Sequence, residues 1–351
     1  MFNFVVLKLR YRQILIVGLM CVSVYMMLHS IRAGISQFDE NLPGRRTLIS
    51  MYTRLRMKLG DRVFSQVLVG RDGWLDFTGL QNLDSYQNSA IMSNDDVKTI
   101  QSNLEILHNQ LGKRNIVLVV VIAPNKATIY PDKLPDGINK VGDQSELDIL
   151  VKYMNQYGPP FLLLDLRPTL AHERLKRDVY FKTDTHWNAY GSFVAYREIM
   201  LQISRYYPEL MPKDIDEFKL KTTGPPVRDL PRIIGVDNII EIRQDFVPKM
   251  DDLNWVVYND DFIPAKISTS PDDNFPKLLM YLDSFGVPLI RLMAPHFREA
   301  VFIQNQSAYS DLLTFGEIDA TDPDVVVLEF VERNLKQLFD FLENYNLDEL
   351  K

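Results

Sequence analysis

Cysteine is almost absent from this chain: 351 residues contain one, Cys21, and it sits inside an apolar N-terminal run. A lone thiol excludes an intrachain disulfide, a redox pair and any zinc site built on cysteine. Whatever folds beyond that run must hold together by core burial, and about 310 residues suffice for that. An excess of positive charge is missing too. The formal net charge is −7, whereas nucleic-acid binding calls for a basic footprint. Neutral or polar substrates fit better. The sequence also shows no internal repeat and no H-E-x-x-H zinc motif.

What is present begins with the apolar run itself. Gln13 to Ile31 are nineteen residues without a formal charge, long enough to cross a hydrocarbon core of about 30 Å as a helix. Lys8, Arg10 and Arg12 precede the run, which predicts that residues 1–12 stay in the cytoplasm. Arg32, Arg45 and Arg46 follow it and weaken the asymmetry, although a large domain translocates largely regardless of its charge. A cleaved signal peptide would have a shorter apolar core and a small-x-small site, which Ser30-Ile31-Arg32-Ala33 does not supply cleanly. The expectation is therefore an uncleaved anchor over residues 13–31, with the domain exported. In the juxtamembrane stretch 32–60, Leu48, Met51, Tyr52, Leu55 and Leu59 recur at helical spacing among arginines and lysines. That helix, Arg45 to Lys58, is either a membrane-surface or partner-docking element or the first helix of the domain.

Residues 61–351 alternate between helical and strand patterns. A helix is predicted from Asp95 or Asp96 to Gly112, with Val97, Ile100, Leu104, Leu107 and Leu111 on its buried face. Ile116–Ala123 is apolar on both faces and reads as a buried parallel strand. A helix over Glu146–Tyr157 then leads to a second buried strand, Phe161–Leu164. Later strands are expected at Lys277–Leu282, Ala300–Ile303 and Val325–Phe330, the last followed by a helix through Leu335, Leu338 and Leu342. This order indicates a doubly wound α/β sheet. The Pro- and Asp-rich stretch 211–274 breaks the rhythm and reads as an inserted lobe or a long excursion over one end of the sheet, rather than a separate domain.

The chemistry concentrates at Tyr180-Phe181-Lys182-Thr183-Asp184-Thr185-His186-Trp187 and at Leu282-Asp283-Ser284-Phe285. In an extended or turn segment, residues i and i+2 project to one side, so Asp184 can orient His186 and leave its other ring nitrogen as a base. Ser284 falls just past the apolar run LLMYL, where a strand should give way to a turn that exposes its hydroxyl, and neighbouring backbone N–H groups could stabilise an oxyanion. Taken alone, Asp283-Ser284 reads better as a helix cap and Asp184-x-His186 better as a structural hydrogen bond. Trp187 would partly dehydrate the pair and could line a substrate groove. Asn188 is placed to cap a helix over Ala189–Arg205. His172 and Glu173, near Asp184 and His186, leave a metal cluster open as a rival, although the favoured reading needs no metal and no cofactor.

The Tyr180–Trp187 block resembles the D-x-H-W motif of the alginate O-acetyltransferase family, the AlgJ/AlgX-like relatives of the SGNH hydrolases. Further pieces resemble that family in its order: Gly70-Arg71-Asp72-Gly73-Trp74-Leu75; Ala123-Pro124-Asn125-Lys126-Ala127-Thr128-Ile129-Tyr130-Pro131; Asp229-Leu230 with Gly235; Asp283-Ser284-Phe285; and Pro323-Asp324-Val325-Val326 with Glu332-Arg333-Asn334. The likeness spans residues 65 to 340 or so. It implies an SGNH-hydrolase-like three-layer α/β sandwich in which the Asp–His block precedes the Ser block. It also implies O-acetylation of an exported polysaccharide, with Ser284 as nucleophile, His186 as base and Asp184 as orienting acid. Lys126, Trp187 and Arg333 become candidates for substrate or oxyanion contacts. SGNH hydrolases commonly place Gly before Asp-Ser, and this chain has Leu282 there, so no oxyanion donor carries over. Arg333 could serve as one, or could form a salt bridge with Glu329 or Glu332. The resemblance further implies a bacterial inner-membrane protein with a periplasmic domain, beside a membrane-bound O-acyltransferase (MBOAT-type) partner that hands acyl groups across. An acetyl esterase and a non-catalytic carbohydrate-binding component of an export complex are the alternatives.

Overall fold

The computed structural model describes residues 44–335 and Leu338, apart from 90–91, 159–160, 228, 237, 250–253, 260–263, 270–273 and 305–314. The expected anchor, 13–31, and the end of the last helix at Leu342 lie outside the described residues. Among the described residues no helix is long and apolar enough to cross a membrane. The chain divides after Gly60 into two compact units. In the first, the expected helix Arg45–Lys58 is present.

In the second unit, eleven strands form among the described residues. They are β1 (Val67–Val69), β2 (Leu75–Phe77), β3 (Val117–Ala123), β4 (Leu162–Asp165), β5 (Phe218–Thr222), β6 (Gln244–Pro248), β7 (Asn254–Asn259), β8 (Pro264–Thr269), β9 (Lys277–Leu282), β10 (Glu299–Gln304) and β11 (Val325–Val331). The main sheet runs β4-β3-β11-β9-β10-β8-β7. Its five strands from β4 to β10 are parallel, and β8 and β7 extend it antiparallel.

Alternation along the strands sorts their side chains into two cores. On one face Val119, Val121, Met280, Phe302 and Val327 pack against Phe193, Tyr196, Ile199 and Met200 of the helix Ala189–Ile203. On the other, Leu118, Val120, Leu279, Val301 and Val326 meet the helices Asn94–Lys113 and Glu146–Tyr157 through Ile100, Leu104, Leu107, Leu147 and Leu150. The result is three layers, helix on sheet on helix. Both of the latter helices start with a reciprocal capping box, Ser93 with Asp96 and Ser145 with Asp148, which satisfies amide donors that the helix cannot. The expected N-terminal acid Asp96 is thus the N3 residue, and the cap itself is Ser93.

Two expectations need correcting. β4 is partly buried along its length because it is the sheet's edge and has one neighbour, β3. The stretch 211–274 is not a lobe apart from the sheet: β7 and β8 within it join the sheet beside β10, while β5 and β6 form a separate two-stranded ribbon. Antiparallel edge strands lack the two-sided apolar run that marks a central parallel strand, so their sequences carry no such signal.

Candidate active site

β9 is buried from Leu278 to Leu282, and the chain then turns sharply at its carboxyl end, where ligands bind in open α/β sheets. Asp283 makes the turn. Its buried carboxylate accepts from Phe285 N at 2.7 Å and from Val331 N at 2.9 Å, tying the turn to the end of β11. Ser284 is left exposed at the tip. The two amides after it point inward, Phe285 N to Asp283 Oδ1 and Gly286 N to Asp283 O at 3.2 Å. Those two therefore drop out as oxyanion donors. Ser284's own N–H has no acceptor among the described residues.

The Asp–His block is a loop without regular structure, pinched at its base by a bridge between Tyr180 and Trp187. His186 Nδ1 lies 2.6 Å from Asp184 Oδ1, and its Nε2 lies 2.9 Å from Ser284 Oγ. Residues 98 positions apart thus meet in one hydrogen-bonded line. Asp184 Oδ1 also accepts His186 N at 3.1 Å, so the acid fixes the ring through two contacts. Burial would raise the Asp184 carboxyl, but the hydrogen bonds and charge of His186, with Lys126 behind, hold it below the ordinary carboxylate range. An ionised Asp beside Nδ1 selects the tautomer that leaves Nε2 facing the serine as an acceptor.

Charged side chains hold this loop from three sides. Lys126, 3% exposed, donates from Nζ to Asp184 O at 2.7 Å, Phe181 O at 3.3 Å and Lys182 O at 3.4 Å. Glu241 accepts Thr183 N at 2.6 Å and Thr183 Oγ1 at 2.7 Å. Asp229 Oδ2 accepts Thr185 N at 3.3 Å. Burial and the nearby Asp184 charge push the Asp229 carboxyl up to about 6. The short segments around the loop explain their sequences. Leu75 N donates to Lys182 O at 2.8 Å, and the Trp74 ring lies 5.8 Å from Lys126 Nζ. Glu332 accepts Asn125 N at 2.8 Å and Thr128 Oγ1 at 2.7 Å, fixing the turn that carries Lys126.

The two further candidates, Trp187 and Arg333, both lie against Phe285. Trp187 is 1% exposed and packs edge-on against Phe285 at 5.4 Å. Though buried, it is part of the lining of the cleft above Ser284, as a groove-lining residue would be. Arg333 lies behind Phe285, 5.2 Å from that ring, and its Nη1 donates to Asn125 Oδ1 at 3.2 Å.

Above the serine is a cleft of about 270 Å³ lined by Phe181, Asp184, His186, Ser284, Arg243 and Gln304, among others. Arg243 and Gln304 carried no signal in the sequence. Asp229 and Glu241 carried little: Asp229 stood in a segment of resemblance without a role, and Glu241 in the irregular stretch. Asp184, His186 and Asp229 place ligand atoms within 4.8 Å of one another, the nearest approach to a metal cluster among the described residues. His172 and Glu173 are not part of it, and Glu173 instead accepts from Tyr190 Oη and Lys176 Nζ, each at 2.6 Å. At 2.6 Å the Asp184 and His186 atoms are bonded to each other, leaving no room for an ion between them.

The family described as "SGNH hydrolase-like domain, acetyltransferase AlgX" matches residues 67–257, more than half of the chain. The chain belongs to that family. The family match includes Asp184 and His186 and stops before Ser284. Among curated relatives, the probable alginate O-acetylase AlgJ of Pseudomonas syringae pv. tomato is 25% identical over 225 residues, 63% of this chain and 54% of that protein. The protein of the same name from Azotobacter vinelandii is 22% identical over 332 residues, 87% of this chain and 79% of the relative. The chain thus spans about half the length of the first relative. Solved structures share the fold. The O-acetyltransferase domain of Pseudomonas putida AlgJ superposes with a TM-score of 0.54 at 19% identity, covering 81% of this chain and 98% of that one. Bacillus cereus PatB1 superposes with a TM-score of 0.57 at 17% identity, covering 78% of this chain and 99% of that one.

Proposed function

We propose that this protein transfers acetyl groups to hydroxyls of an exported polysaccharide through an acyl-enzyme on Ser284. The observation that carries the reading is the line from Asp184 Oδ1 through His186 to Ser284 Oγ, at 2.6 and 2.9 Å. Family membership supports acetyl chemistry, and alginate acetylation in the names of the AlgJ relatives supports a polymer acceptor. In the first half-reaction, Ser284 Oγ attacks the acyl carbon of the donor while His186 Nε2 takes its proton. The tetrahedral oxyanion collapses, and the leaving group departs with that proton. In the second, a sugar hydroxyl loses its proton to His186 and attacks the acyl carbon. The acetylated sugar leaves, and Ser284 regains its proton from His186. Ser284 N–H and the Gln304 amide are the donors we assign to the oxyanion, from their positions at the cleft.

A second cleft, lined by Arg177, Phe181, Tyr190, Glu241 and Gln244, shares Phe181 with the first. Alternate residues leading into β6 face the two sides: Arg243 and Asp245 line the catalytic cleft, and Ile242 and Gln244 line the other. In our reading the acceptor polymer crosses this ridge, so that one sugar meets Ser284 while flanking sugars rest beside Arg177 and Tyr190. Residues 13–31 would anchor the protein in a bacterial inner membrane with this unit in the periplasm. There an MBOAT-type partner would supply acyl groups, because acetyl-CoA is not expected outside the cytoplasm.

Acetyl esterase activity requires the same site and differs only in whether water or a sugar resolves the acyl-enzyme. Incubating the protein with an acetyl ester and candidate oligosaccharides, and reading products by mass, separates the outcomes. Acetylated oligosaccharide supports transfer, free acetate alone supports an esterase, and neither product refutes both. Releasing the protein from the membrane by deleting residues 1–38 should spare small-ester activity but reduce polymer acetylation in the cell, where the anchor raises effective concentration near the donor.

A further inference from the structure

Beneath Ser284 lie two acids that the acyl-transfer chemistry does not use, Asp283 and Glu329, 4% and 1% exposed. Glu329 sits on β11 in step with Val325 and Val327, at a position where every other residue on that face is apolar. Its Oε2 accepts Asp283 N at 3.1 Å and lies against Gly286. It therefore contacts the residues on both sides of the Ser284–Phe285 pair. The fit is close. A Cβ added at Gly286 would come within 2.8 Å of Glu329 Oε2 and 2.5 Å of Leu282 Cβ, so only glycine lets the turn settle onto the carboxyl.

We propose that Glu329 is a positioning residue: as a neutral carboxylic acid it locks the Leu282–Gly286 turn and so sets the direction of Ser284 Oγ toward His186. Two observations fix its charge state. Its second oxygen, Oε1, is buried and meets no donor in the structure, which would be costly for an ionised carboxylate. The residue whose N–H Glu329 accepts, Asp283, is itself a buried acid, and two neighbouring buried carboxyls disfavour both being charged. Burial raises the Asp283 carboxyl as well, but each of its oxygens accepts a backbone N–H and Arg333 supplies positive charge nearby, so the charge of the pair is better placed on Asp283 than on Glu329. Burial and the adjacent Asp283 charge push Glu329 well above the usual carboxylate range, in the same direction. The proton on Glu329 thus lets both acids remain in a space that two negative charges would disrupt.

This inference rests on the reading of Ser284 as the nucleophile, so the test carries a control for that reading. Using the full-length chain, kcat and KM for a small acetyl ester and the rate of Ser284 labelling by a sulfonyl fluoride are measured in wild type, Glu329→Gln, Glu329→Leu and Ser284→Ala. Glutamine keeps the acceptor and gains a permanent donor, so Glu329→Gln should stay within about threefold of wild type, whereas Glu329→Leu should lose about 10² in kcat and in labelling with KM little changed. A Glu329→Gln variant as impaired as Glu329→Leu would overturn the neutral-acid role, and a fully active Glu329→Leu would overturn positioning altogether. If Glu329→Leu does not fold, infrared spectroscopy decides: wild type at neutral pH should show the band of a protonated carboxyl that Glu329→Gln lacks, and its absence overturns the proposal. Ester turnover by Ser284→Ala would instead sink the nucleophile reading, while the infrared band still reports on Glu329.

Discussion

The two halves of the candidate site are held by opposite means. The Asp184–His186 loop has no strand or helix of its own, and a buried cation gathers its carbonyl oxygens: Lys126 reaches three of them. The Ser284 turn hangs from the end of a fully buried strand, and buried acids gather its amide hydrogens. A lysine ammonium offers only donors and a carboxylate only acceptors, so each clamp matches what its segment presents. The loop, tied through long side chains, should tolerate less loss of any one tie than the turn, which the sheet also supports.

The comparison breaks most completely if chemistry survives without its reacting groups. Ser284→Ala and His186→Ala should each lower acyl transfer on the order of 10⁶-fold with the fold unchanged by circular dichroism. Asp184→Asn should cost about 10⁴-fold, since the wrong histidine tautomer then faces the serine. If a chelator abolishes activity while Ser284→Ala retains it, a metal at Asp184, His186 and Asp229 is responsible instead. Lys126→Met keeps length and apolar stem but removes the donors to the loop. It should misplace His186 and lower kcat by more than the about 10²-fold expected of Glu329→Leu, which removes the matching tie from the turn. Equal effects would erase the distinction between the two clamps.

The smallest effect sharpens the comparison through pH. Asp229 is raised to about 6 in the fold, against about 3.9 for a free aspartate. Between those values the unfolded chain has released this proton and the folded chain still holds it. Stability from this group is therefore full below about pH 4 and falls as pH rises toward 6. Asp229→Asn should melt higher than wild type above pH 6, with the gap closing at pH 4, as thermal unfolding across that range would register.

How far the sequence was readable follows from the same contrast. β3, β9 and β11 were legible because strands buried on both faces need uninterrupted apolar runs, and Glu146–Tyr157 because its pattern and cap agree. Asp184, His186 and Ser284 were legible as candidates through spacing, position after a strand and family resemblance. That they meet within hydrogen-bond distance could not be read, since contact across 98 residues depends on how the sheet closes. Lys126 was a candidate for substrate or oxyanion contact through the resemblance, but its ammonium is instead buried on the carbonyls of a loop 58 residues on, which nothing local in the sequence says. Glu329 interrupts an apolar strand, a visible irregularity, but only the fold puts Gly286 against it. β7 and β8 were missed because edge strands need no distinctive pattern.

The central claim is that Ser284 carries the acyl group between donor and sugar. The most direct test is to mix the full-length chain with an acetyl ester, trap the intermediate and map the added mass by peptide sequencing, then chase with oligosaccharide. The account predicts one acetyl group on Ser284 that disappears as acetylated sugar forms, with no adduct in Ser284→Ala. Acetyl transfer to sugar with no adduct on Ser284, or undiminished transfer by Ser284→Ala, would contradict it.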